Sequence, residues 1–211
     1  MKSTKTATLL VATILAGCGP ADLTGADSTS EATDIAQSAL STRVAADLTF
    51  IRQEEKLARD VYLALNERWG QPIFSNISGS EQQHMDVMAS LLSRYRLTDP
   101  VAGASRGVLV DPLLQGLYAE LVARGQTSLV EALKVGADIE DLDIVDIRTR
   151  LGSNPPRDVT NAYQNLMKAS RNHLRKFVGQ LTSNGGTYTP TYLTPDEYQQ
   201  IISTPNERGP Y

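Results

Sequence analysis

Glu81 and His84 stand three residues apart in a stretch whose apolar residues, Ile77, Met88 and Leu91, recur at helical spacing. Residues i and i+3 project from one side of an α-helix, so this carboxylate and imidazole can reach a single metal ion. Glu140 and Asp143 repeat the spacing further along, and Glu55 and His173 fall on two more stripes of the same kind. The chain has 2 histidines, and both lie on these stripes. A carboxylate suits a hard, oxygen-seeking cation, while imidazole extends the choice to iron, manganese, zinc and copper. Carboxylates stay off a buried helix face unless something neutralises them, because an unpaired buried charge is costly or changes its protonation state. Glu55, Glu81, Glu140 and Asp143 would together balance the charge of two divalent ions, which compensates for their burial. One Glu–His pair is weak evidence, but the convergence of four stripes points to a metal centre.

Four helices must position these groups. Their apolar stripes read Leu48, Ile51, Ala58, Tyr62 and Leu65; Ile77, Met88, Leu91 and Tyr95; Leu129, Leu133, Ile147 and Leu151; and Val159, Tyr163, Leu166, Phe177 and Leu181. Each is interrupted at mid-height by ligand-type residues. Such periodicity marks the buried face of an amphipathic helix. The first helix is expected over residues 47–69, stopped by Gly70 with Pro72 beyond it. The second runs from about Ser75 to Arg96. Asp111-Pro112 opens a shorter helix ending at Gly125, with Asp as cap and Pro at its first position. Ser128 and Glu131 read as a capping box for the third long helix, which ends near Gly152. The fourth follows Asn154-Pro155-Pro156 and closes the bundle at about residue 182. Residues 183–211 form a C-terminal extension, with a capping box at Thr194 and Glu197, that packs on the bundle. The fold expected is all-α, a four-helix bundle whose second and third long helices are joined by a long crossover with an extra short helix.

At these residues the chain resembles the ferritin-like superfamily, and rubrerythrins in particular. Glu55, Ala58 and Tyr62 resemble the first helix of that bundle, Glu81-Gln82-Gln83-His84 the second, and Glu140 with Asp143 the paired carboxylates of the third. The fourth departs from the pattern: Ser170 stands where relatives carry Glu, three residues before His173. The resemblance implies iron, as a di-iron centre or with manganese or another divalent metal, and redox or oxygen and peroxide chemistry. Either Asp143 supplies the missing charge, or one metal is held tightly and another weakly. A closer similarity is to the bacterial domain of unknown function 2202, carried by Glu54 to Tyr62, Ser80 to Asp86, Ser170 to Leu174 and the tail from Tyr188 to Ile202.

Other polar residues on the helices take plainer roles. Glu54 reads as an exposed or ion-paired neighbour of Glu55, and Asp60 and Asp86 as surface or supporting groups. Tyr62 is either a packed aromatic or a donor to a metal carboxylate, and Ser170 lies beside the ligands. Met85 and Met88 fill the core, since no further soft ligand accompanies them. No nucleotide-binding fingerprint or nucleophile elbow is present.

The N-terminus suggests where the bundle resides. Lys2 and Lys5 precede a mostly apolar run that leads to Leu15-Ala16-Gly17-Cys18, with 1 cysteine in the whole chain. The run is too short to span a bilayer but suits a secretory signal peptide. The last four residues resemble a bacterial lipobox. Residues 1–17 are then a signal peptide, Cys18 the lipidated first residue, and residues 18–46 a flexible tether rich in Ser, Thr, Ala, Asp and Gly. That places the protein at the cell envelope, at the outer membrane where the host has two. The formal charge of −4 gives no electrostatic footprint for nucleic acid. The function expected is a membrane-anchored metal protein with redox chemistry. The rival is a non-catalytic bundle with a structural or vestigial site, acting as a binding protein of the envelope.

Overall fold

The computed structural model describes residues 40–210. The signal peptide and residues 18–39 of the expected tether, Cys18 among them, lie outside the described residues, while residues 42–46, expected as tether, belong to the first helix. Six helices and no strand are found among those described: α1 Thr42–Trp69, α2 Pro72–Arg94, α3 Pro112–Gly125, α4 Leu129–Leu151, α5 Arg157–Ser183 and α6 Pro195–Ile202. The expected all-α bundle is the fold observed.

Local chemistry sets the boundaries. The first helix starts at Thr42, five residues before the expected Asp47, because Ser41 caps it by accepting a hydrogen bond from Val44 N–H at 3.2 Å. It stops at Gly70, whose φ of 61° is the left-handed conformation that closes a helix. Pro72, expected only as a stop signal, is also the first residue of α2, where its missing N–H costs nothing. The α1–α2 link is therefore just Gly70 and Gln71, short enough to force the two helices antiparallel. The five-residue link between α4 and α5 does the same. Ser128 caps α4 through Glu131 N–H, but the Glu131 carboxylate turns to Lys134 at 2.8 Å instead of closing the expected box. At α6 the box is complete, with Thr194 and Glu197 bonding reciprocally.

In the bundle α1 packs on α2 and α4, and α5 packs on α4 and α2. Two apolar clusters fill it. One contains Ala58, Tyr62, Leu65, Phe74, Ile77, Leu133 and Phe177. The other contains Leu48, Ile51, Met88, Leu91, Ile147, Tyr163 and Leu166. On every long helix the candidate ligands fall between the residues of these clusters. A polar layer is thus sealed above and below by apolar packing.

The crossover covers the outer side of α1. Arg52 pairs with Asp99 at 2.9 Å, Lys56 Nζ donates to Ser105 O at 2.8 Å, and Gly107 N–H donates to Asp60 at 2.8 Å. Trp69 Nε1 donates to Gly125 O at 2.9 Å, fixing the far end of α3. The C-terminal extension is tied to α4 by the buried Asp141, which accepts from Tyr188 OH and from the N–H groups of Thr191, Tyr192 and Leu193.

Candidate metal centre

Glu81 lies at the middle of the polar layer. One of its carboxylate oxygens is 2.6 Å from His84 Nδ1, and the other is 2.9 Å from His173 Nδ1. His84 Nδ1 also lies 3.1 Å from Glu55 Oε2, and His173 Nδ1 lies 3.5 Å from Glu140 Oε2. The imidazole rings are roughly parallel, with centroids 6.0 Å apart. Glu55, Glu81 and His84 form one potential ligand set, and Glu81, Glu140 and His173 a second, each with its ligand atoms within 4.8 Å of one another. Glu81 belongs to both. Four helices thus contribute to two adjoining triads sharing one carboxylate.

Asp143 is buried in the same layer but belongs to neither triad. Ser170 is also buried, yet its hydroxyl donates to Leu166 O of its own helix at 3.2 Å. Tyr62 fills both roles open to it. Its hydroxyl donates to Glu140 Oε1 at 2.7 Å, and its ring packs 5.3 Å from that of Phe177.

Burial shapes the electrostatics. It opposes ionisation of Glu81, but the neighbouring His84 and His173 outweigh it and hold this carboxyl well below its usual range. Burial likewise opposes charge on His84, yet Glu81 and Glu55 push it well above the ordinary imidazole value. His173 is raised to about 9, where Glu140 and Glu81 overcome desolvation. Glu55 is pushed up to about 7 by burial, against the pull of His84. Burial and then the charges of Glu55 and Glu140 raise Asp143 well above the carboxylate range. The cluster can therefore be held without metal, with imidazoliums paired to Glu81 and protons on its more isolated carboxyls.

The donor set nevertheless suits a cation. Glu81 Oε1 and His173 Nδ1 are buried, face each other at 2.9 Å and make no other hydrogen bond. An ion bound by both would take the place of the proton between them. The mix of carboxylate oxygens and imidazole nitrogens fits iron or manganese and lacks the thiolates that favour softer metals.

Two readings of neighbouring residues need correction. Glu54 is not exposed: it is buried, and burial followed by repulsion from Asp146 raises its pKa. Asp60 is fully buried and binds Lys56, Arg59 and the Gly107 N–H, so it anchors the crossover. Asp86 is exposed, and Met85 and Met88 are buried. The run Arg52–Lys56, buried throughout, carried the missed signal: so many consecutive polar residues on a helix need partners on every side.

Comparison with known proteins covers most of the described chain. The model of the uncharacterized protein domain DUF2202 matches residues 45–205. The chain belongs to the DUF2202 family. It is similar to the uncharacterized protein MJ0754 of Methanocaldococcus jannaschii, with 50% identity over 159 residues, covering 75% of this chain and 86% of that one. The crystal structure of hypothetical protein MJ0754 from Methanococcus jannaschii superposes with a TM-score of 0.76 at 48% identity, covering 77% of this chain and 93% of that one. All six residues expected as ligands, Glu55, Glu81, His84, Glu140, Asp143 and His173, fall inside the matched DUF2202 region.

Proposed function

We propose that this DUF2202 protein is a ferritin-like metal-binding protein of the bacterial cell envelope, anchored through lipidated Cys18, with an iron site serving redox or oxygen and peroxide chemistry. The observation that supports it best is the pair of buried triads sharing Glu81, in which both Glu81 oxygens face an imidazole nitrogen. Glu55, Glu81 and His84 would hold one ion, and Glu81, Glu140 and His173 the other. Manganese is the alternative metal. Bound iron would supply one-electron redox chemistry.

The residues around the ligands do the rest. Tyr62 fixes the orientation of Glu140 by its hydrogen bond, as groups behind a metal ligand commonly do. The two apolar clusters exclude water on either side of the polar layer. His84 is the most open of the triad side chains, at 12% exposed, so small molecules reach the layer most directly from its side. A second reading, a non-catalytic bundle with a vestigial site, is favoured by one observation. Ser170 turns to its own helix and contributes no carboxylate.

Metal analysis separates the two. Protein loaded anaerobically with iron(II) or manganese and then desalted should retain one to two equivalents, and its melting temperature should rise. A chain that retains none, and melts alike with iron, manganese, zinc or copper, would leave only the non-catalytic reading.

A further inference from the structure

The two triads leave two buried carboxyls over. Glu54 on α1 and Asp143 on α4 are 6% and 5% exposed, and neither belongs to a triad. With Asp146 they form a file that leads out of the polar layer. Along α4, Glu140, Asp143 and Asp146 follow one another at three-residue spacing, and each such step climbs about 4.5 Å and turns the side chain by about 60°. Exposure rises along the way: Glu140 is 1% exposed, and the Asp146 side chain 28%. Glu54 closes the gap from the facing helix. Its carboxyl lies against that of Asp146, while Asp143 feels the charges of Glu55, Glu140 and Glu54. The carboxyls are thus continuous from solvent to the ligands of both triads.

We propose that this file is the route by which divalent cations enter the centre: Asp146 takes an ion from solvent, Glu54 and Asp143 pass it inward, and Glu55 and Glu140 receive it. The proposal rests on the metal reading of the triads and gives a task to two carboxyls that ligation leaves unexplained. Carboxylate oxygens suit hard divalent ions. A series of sparse sites lets an ion move on, because no single one holds it as a full ligand set would. A neutral group points to the same place. Tyr163 is fully buried, and its hydroxyl, set among the charges of Asp47, Arg150 and Glu54, has no hydrogen-bond partner. A buried hydroxyl left so calls for a water or an ion to meet it. Arg150 is the one cation at the mouth, and it is held loosely. Its Nη1 is 3.5 Å from Asp146 and its Nε 3.8 Å from Asp47, while its guanidinium rests on the Phe50 ring at 4.3 Å. It can swing aside without losing a close ion pair.

The rate of metal loading tests the route separately from the site. Metal-free full chain is mixed anaerobically with iron(II), the reaction is stopped at intervals with excess chelator, and retained iron is counted. Asp146→Asn should slow loading by about tenfold, the lower end of what focused charge lends to association, and reach the same final iron content as wild type. Asp146→Glu, which keeps the charge, should restore the rate. Glu54→Gln should be slow as well. A loosened fold would admit metal faster, so slower loading is not a trace of damage. Asp86→Asn removes the same charge from an exposed position on α2 and should load like wild type. Equal rates for wild type and Asp146→Asn would overturn the route and leave the site standing. Equal slowing by Asp86→Asn would also overturn it, since overall charge would then set the rate. A lower final content in Asp146→Asn would make Asp146 a ligand and not a step on the way. Wild type that retains no iron would sink the metal reading and the route with it.

Discussion

Replacing Glu81 by Gln keeps the size of the side chain and removes the charge that both triads share. Glu81 is 1% exposed and faces imidazoles at 2.6 and 2.9 Å. Removing one partner of a buried ion pair costs about 3–5 kcal/mol, since the other charge is left uncompensated. For a domain of this size, 1 kcal/mol moves the melting temperature by about 2–4 °C, so metal-free Glu81→Gln should melt roughly 10 °C below wild type. A second loss appears when metal is supplied. An ion present at about 100 times its Kd stabilises the native state by about 2.7 kcal/mol, and the variant should forfeit that increment. Asp143→Asn is the control. Burial and the charges of Glu55 and Glu140 already push Asp143 towards its neutral form, so the amide should cost little without metal. The assay is thermal unfolding of wild type and both variants, in chelator and in manganese, with metal content measured alongside. Equal melting of wild type and Glu81→Gln in chelator, with an equal rise in manganese, would refute both the pairing and the metal argument.

Four further outcomes follow from particular contacts. Gly136→Ala would drive a Cβ into the buried Phe177 ring, and overpacking of this kind should cost about 1–3 kcal/mol in urea unfolding. Cys18→Ala should abolish lipid labelling and leave the precursor uncleaved by lipoprotein signal peptidase; unlipidated wild type with a mature N-terminus beyond Cys18 would contradict this. Ser170→Glu adds a carboxylate one helical turn before His173 and should raise retained iron towards two equivalents, as read by elemental analysis. Glu207 is held below the usual carboxylate range by Arg171 and Arg175, and Glu197 by Thr194 and Arg148. Because these folded pKa values are depressed, the stability they lend is full above about pH 4.3 and is lost as pH falls through the folded values. Proteolysis should therefore release the C-terminal tail in acid before the bundle opens.

The part of this molecule legible in its sequence is the part governed by one helix at a time. Periodicity located the four long helices, and the interruptions of their stripes pointed to Glu55, Glu81, His84, Glu140 and His173, which meet in the polar layer because each leaves the same face as the core residues around it. Caps at Asp111, Ser128 and Thr194 fixed three starts for the same local reason. What periodicity could not convey is what covers the other faces. The first helix carries Arg52, Lys56 and Asp60 where an amphipathic pattern implies solvent, yet the crossover lies over them and each finds its partner there, in Asp99, Ser105 O and Gly107 N–H. Glu54 was misjudged for a related reason: the charge beside it, Asp146, comes from another helix. The sharing of Glu81 was equally hidden, since its i, i+3 spacing pairs it only with His84, and the second imidazole arrives from α5. With Glu81 held ionised between two imidazoles, the charges at the middle of the layer are balanced without a further carboxylate, and Ser170 adds none, its hydroxyl being spent on Leu166 O.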